Sequence, residues 1–165
     1  MSARTRISSG EKEELPLRLA AEYLIEECRM VLPGIQALFG FQLIAVFNEG
    51  FARKLPVLEQ RLHLVSIGLV AIAIALIMTP AAFHRQTGPR DVSDTLIRLS
   101  TRLLLWSMFP LALGISIEFY IVSRIVLGSA LVAIPAVLLF GIFMTLWFVL
   151  PRTKALQRLI VGTRG

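Results

Sequence analysis

Glu22, Glu26, Arg29, Pro33 and Gln36 follow one another at intervals of four, three, four and three residues, which keeps them on one face of a helix. That face leads from a charged segment into an apolar one, and such a stripe suits two kinds of chemistry. It can conduct protons or small cations towards the bilayer interior, or it can anchor a helix end in the headgroup region, where charges reach water at little cost. A second group, His84 and Arg85, closes the next apolar run. A helix hairpin would bring it to the same depth, within reach of Glu26 or Glu27. Glu26, Glu27, Arg29, Gln36, His84 and Arg85 are therefore the candidate polar cluster at one end of the molecule, as an ion entrance or as a structural network.

Glu118 is the candidate at the other end. It lies in an apolar run about one helical turn from its terminus, where a carboxylate needs water or a partner. Arg124 is the nearest base in sequence. An interfacial Glu118–Arg124 salt bridge is the structural expectation, and a titrating carboxylate on a proton or cation path the functional one. Gln42, in the middle of a run, suits a helix–helix hydrogen bond better than a ligand contact.

Soluble-enzyme chemistry finds no support. The chain has no glycine-rich phosphate loop, no His-Glu-x-x-His and no Gly-x-Ser-x-Gly. Its histidines, His63 and His84, fall at opposite ends of one run and would not share a metal. Cys28 is the only cysteine, which excludes an internal disulfide and a cysteine metal framework. We expect no enzyme activity, no cofactor and no metal site.

The elements that position these residues follow from hydropathy. Hydrophobic residues make up 56% of the 165, well above the roughly 45–50% of soluble domains, and mean hydropathy is +0.74. So small a chain cannot hide that much apolar surface from water. Residues 1–14 are polar and read as a tail. Residues 15–29 have an amphipathic helical period, expected along the interface or stacked on the bundle. Four apolar spans follow, at about 30–47, 62–83, 103–122 and 129–150, the last ended by Pro151. Span two has 22 residues, enough for the roughly 30 Å hydrocarbon core. The expected fold is all-α: one membrane domain over 15–152, a four-transmembrane-helix bundle with an N-terminal amphipathic cytoplasmic helix, and a basic tail over 153–165. The first apolar run begins late, after Glu11, Glu13 and Glu14, so no cleaved signal peptide is expected.

Basic residues orient the bundle. Of the 17, 13 fall in the N-terminal segment, the connection after span two and the C-terminal tail, against 4 (Arg53, Lys54, Arg61, Arg124) in the other connections. The positive-inside rule then puts both termini in the cytoplasm of a cell with the chain in its inner membrane. Trp106 and Trp147, near the inner ends of their spans, agree with that. The net charge of +6 is explained by orientation rather than by nucleic-acid binding. Tight hairpins are expected at 123–128 and, with Gly88-Pro89 as the turn signal and Asp91 or Ser93 as cap, at 86–94. Small residues set the packing: Ala71, Ala75 and Thr79 beside Gly68, and Ser129, Ala133, Gly141 and Thr145, are expected inside the bundle or on a homodimer face.

Four stretches carry a family resemblance. They are Ile25-Glu26-Glu27-Cys28-Arg29-Met30-Val31, Gly34-Ile35-Gln36-Ala37-Leu38-Phe39-Gly40-Phe41, Thr79-Pro80-Ala81-Ala82-Phe83-His84-Arg85 and Trp147-Phe148-Val149-Leu150-Pro151. Over about residues 17–152 the chain resembles a family of small bacterial four-helix membrane proteins known as a domain of unknown function. It departs from the pattern at Leu32-Pro33, where such proteins usually show Gln-Thr. The resemblance implies the fold and a membrane location. Some members have been labelled sodium/proton antiporters automatically.

Two functions remain in view. One is transport of protons or monovalent cations, through the polar cluster and Glu118. The other is a non-transporting interaction or regulatory role, binding another membrane protein or anionic lipid. The basic end fits lipid attraction, although 8 of the 11 acids share it.

Overall fold

The computed structural model describes residues 17–87 and 94–153. The tails, the Gly88-Pro89 turn, the Asp91 and Ser93 caps and the side chains of His84 and Asp94 lie outside the described residues. Five α-helices form the fold: α1 (Leu17–Val46), α2 (Glu49–Lys54), α3 (Val57–Thr87), α4 (Asp94–Leu127) and α5 (Ala133–Met144). No strand occurs among the described residues. Four helical stretches are long and apolar enough to cross a membrane: Glu22–Val46, Val57–Phe83, Ile97–Leu127 and Ala133–Arg152. At 1.5 Å per residue the 27 residues of the second reach about 40 Å, more than the ~30 Å apolar core requires.

The amphipathic segment is not a separate interfacial helix. It is continuous with the first span, and Pro33 sits inside α1. Proline deletes one ladder hydrogen bond, and the helix continues on both sides of it within its 30 residues, as membrane helices commonly allow. Pro80 in α3 and Pro110 in α4 are accommodated in the same way. The hairpin expected at 123–128 is mostly helix: α4 runs to Leu127, and the chain turns at Gly128. There φ is +65° and the N–H donates to Arg124 O at 2.9 Å, an αL cap that glycine adopts without a Cβ clash. Asn48 caps α2, its Oδ1 accepting the Gly50 N–H at 3.0 Å. Past Met144 the last span widens into a π turn, Thr145–Val149, and tightens at Leu150–Arg152, where Pro151 stops it.

α3 and α4 are the central antiparallel pair. Their buried shares, 28% and 33%, exceed the 11% of the first span and the 6% of the last. In α3 the buried residues are Glu59, His63, Ser66, Val70, Ala73, Ile77 and Pro80, at alternating steps of four and three, a single seam facing its neighbours. α1 lays Cys28, Leu32, Ile35 and Phe39 against Val70 and Ile77. α5 docks on α4 with Ala136 buried.

The small-residue stripes face outwards. Ala71, Ala75 and Thr79 are exposed, and nothing approaches within 4 Å of a Cβ position on Gly68 or Gly141. In a helix that is apolar all round, period alone cannot say which face turns inwards. Here the polar residues of the α3 seam decide, because hydrocarbon offers them no partners.

Candidate functional site

Towards the end of the bundle away from the basic termini, three cross-links bridge the seam between α3 and α4. Arg124 Nε lies 3.3 Å from Glu59 Oε1, His63 Nδ1 lies 2.8 Å from Glu118 Oε1, and Ser66 Oγ donates to Gly114 O at 2.9 Å. α1 joins them through Gln42, whose Nε2 donates to Ser66 Oγ at 2.9 Å and whose backbone carbonyl meets His63 Nε2 at 3.0 Å. Phe51 of α2 covers the imidazole, ring centroids 5.0 Å apart. Counting from Val57, His63 is about 9 Å along the helix axis, and Ser66 about 14 Å.

The contacts of His63 orient its ring. Gln42 O can only accept, so Nε2 holds a proton and donates it. Nδ1 then faces a carboxylate oxygen at 2.8 Å. The side chains of the pair are 4% and 17% exposed, so the contact is held largely out of water. Glu118 Oε1 has unfilled hydrogen-bonding capacity. With Gln42 Oε1 and Glu59 Oε2 it is one of three buried acceptor oxygens without a hydrogen-bond partner among the described residues, which suits the cluster to a proton or a small cation.

The expected Glu118–Arg124 salt bridge does not form. Six residues along a helix turn the side chains roughly 120° apart, so Glu118 meets His63 of α3 and Arg124 meets Glu59 instead. Gln42 makes the interhelical hydrogen bond expected of it. Residue type and hydropathy alone do not single out His63, Glu59 and Ser66 as site residues. Their signal is the four-three spacing that continues into the apolar seam of α3.

The stripe on α1 is turned the other way. Glu22, Glu26, Arg29, Pro33 and Gln36 are exposed. The buried face runs through Cys28, Leu32, Ile35, Phe39 and Gln42, one residue out of register and so about 100° round the helix. Glu26 pairs with Arg29 on its own helix at 3.8 Å. Among the described residues no ion pair joins Glu26 or Glu27 to Arg85, and the His84 side chain lies outside them. Arg29 and Arg85 do meet at one feature, a cleft of about 480 Å³ between α1, α3 and α4, walled by Cys28, Leu32, Ile77 and Met78.

No curated protein and no solved structure matches the chain. A family model does, over residues 11–151, which takes in the first three apolar spans, all but the last residue of the fourth, and every residue of both features. The chain belongs to the family described as "Family of unknown function (DUF6328)".

Proposed function

We propose that this protein is a multi-pass protein of a cell membrane, both termini cytoplasmic, that takes up and releases protons, or a monovalent cation in their place, at the His63–Glu118 pair. The observation that carries this reading is the buried 2.8 Å contact between His63 Nδ1 and Glu118 Oε1, a titratable pair where hydrocarbon-spanning helices otherwise avoid one. In each cycle one proton passes between Nδ1 and the carboxylate or leaves them. Nε2 keeps its own proton on Gln42 O, which holds the ring in place. Ser66 and Gln42 extend the polar path inwards, and Glu59 with Arg124 flanks the route outwards. The basic residues of the opposite end, 13 against 4 along the sequence, support the assigned orientation.

Reconstituted vesicles carrying a pH-sensitive dye test it. The native chain is expected to dissipate an imposed pH gradient, alone or in exchange for sodium or potassium, and Glu118→Gln to abolish the flux. Native protein that behaves as empty vesicles under proton, sodium and potassium gradients overturns the reading.

A further inference from the structure

Independently of proton movement, we propose that the cleft at the basic end of the bundle binds an anionic phospholipid of the surrounding bilayer, with Arg29 and Arg85 on its phosphate and the acyl chain against Leu32, Ile77 and Met78. The cleft has the size of a small-molecule site, about 480 Å³, within the range of roughly 300–1,000 Å³ usual for such sites. Its two chemistries are segregated as in a lipid. Arg85 lies near the end of α3 and Arg29 one turn before Leu32 on α1, while Ile77 lies two turns deeper along α3. Guanidinium forks match phosphate oxygens in pairs, and the charge complementarity selects an anionic head over a zwitterionic one. The competing acid is Glu26, 3.8 Å from Arg29, but that pair is 59% and 76% exposed and gives way easily to a better-placed phosphate. A soluble anion would leave the apolar walls unused, and an uncharged chain would leave the arginines unused. A membrane phospholipid uses both.

Cys28, the chain's only cysteine, lines the same cleft and reports on its occupancy. The full-length protein is placed in nanodiscs of phosphatidylcholine with graded fractions of phosphatidylglycerol, and Cys28 is labelled with an uncharged maleimide. Labelling is expected to slow several-fold as phosphatidylglycerol rises. Native mass spectrometry is expected to show phosphatidylglycerol retained in preference to phosphatidylcholine. Both effects should vanish in Arg29→Gln/Arg85→Gln and survive in Arg102→Gln/Arg152→Gln, which removes the same charge outside the cleft. Equal labelling and equal retention in the two lipids overturn the proposal. So does loss of protection in the control variant, which makes it an effect of bulk charge. Protection by inorganic phosphate in pure phosphatidylcholine overturns it in favour of a soluble anion. Should the cleft variant fail to fold, the lipid titration on the native chain decides.

Discussion

Ser66 Oγ donates to Gly114 O across 2.9 Å, so α3 and α4 come together closely at that level, where residue 114 contributes no side chain. A methyl group on residue 114 would lie 3.1 Å from Val70 Cγ2 and 3.4 Å from Ser66 O. Val70 is fully buried and has little room to yield. In Gly114→Ala the helix gains about 1 kcal/mol in propensity against overpacking of ~1–3 kcal/mol, so the net change runs from about zero to a loss of ~2 kcal/mol. Gly114→Val adds bulk without further propensity and is expected to lower the unfolding midpoint in detergent clearly. Gly68→Ala, which meets nothing within 4 Å, is expected to hold or raise it.

His63 and Glu118 separate stability from function. In Glu118→Gln the side-chain amide can donate to Nδ1 of a neutral imidazole, so the fold is retained while the exchangeable proton is lost. His63→Ala leaves the carboxylate buried without its partner, a change that costs about 3–5 kcal/mol where burial is complete. Thermal unfolding followed by circular dichroism should rank native and Glu118→Gln together, with His63→Ala well below. The dye assay should find both variants inactive.

The Glu59–Arg124 pair is asymmetric, the acid 5% and the base 33% exposed. Arg124→Ala strands a buried carboxylate, and the loss should lie between the ~1 kcal/mol of an exposed pair and the ~3–5 kcal/mol of a buried one. Removing both charges, as in Glu59→Gln/Arg124→Gln, should recover most of it. A double-mutant cycle of unfolding free energies measures the coupling.

Two glutamines of α1 are expected to behave oppositely. Gln42 is buried and bonded to Ser66, so Gln42→Leu removes a link between α1 and α3 and should reduce both stability and flux. Gln36 is exposed, and Gln36→Leu should leave both near native. Loss of flux in Gln36→Leu would return the α1 stripe to the ion path.

Reporter fusions check the orientation. Fusions at residues 1, 90 and 165 should be active with a cytoplasmic reporter, and one at residue 55 with a periplasmic reporter. A periplasmic signal from either terminus would reverse the topology.

The sequence by itself determined the four apolar helices, because the need to satisfy every backbone group inside hydrocarbon leaves a helix as the default for a long apolar run. It also determined that Gln42 and Glu118 require partners, since a polar side chain in such a run is costly alone. It did not determine the partners. Neighbours in sequence pointed Glu118 to Arg124, whereas the antiparallel register of α3 on α4 brings His63 to Glu118 and Glu59 to Arg124. Nor did it determine which face of α1 turns inwards. The Glu26–Arg29–Gln36 stripe and the Cys28–Ile35–Gln42 stripe have the same spacing and differ by one residue, and only the docking of Ile35 against Val70 and Ile77 separates them. A helical period is a property of one segment. Rotation and register belong to pairs of segments, and are settled where buried polar groups must meet across them.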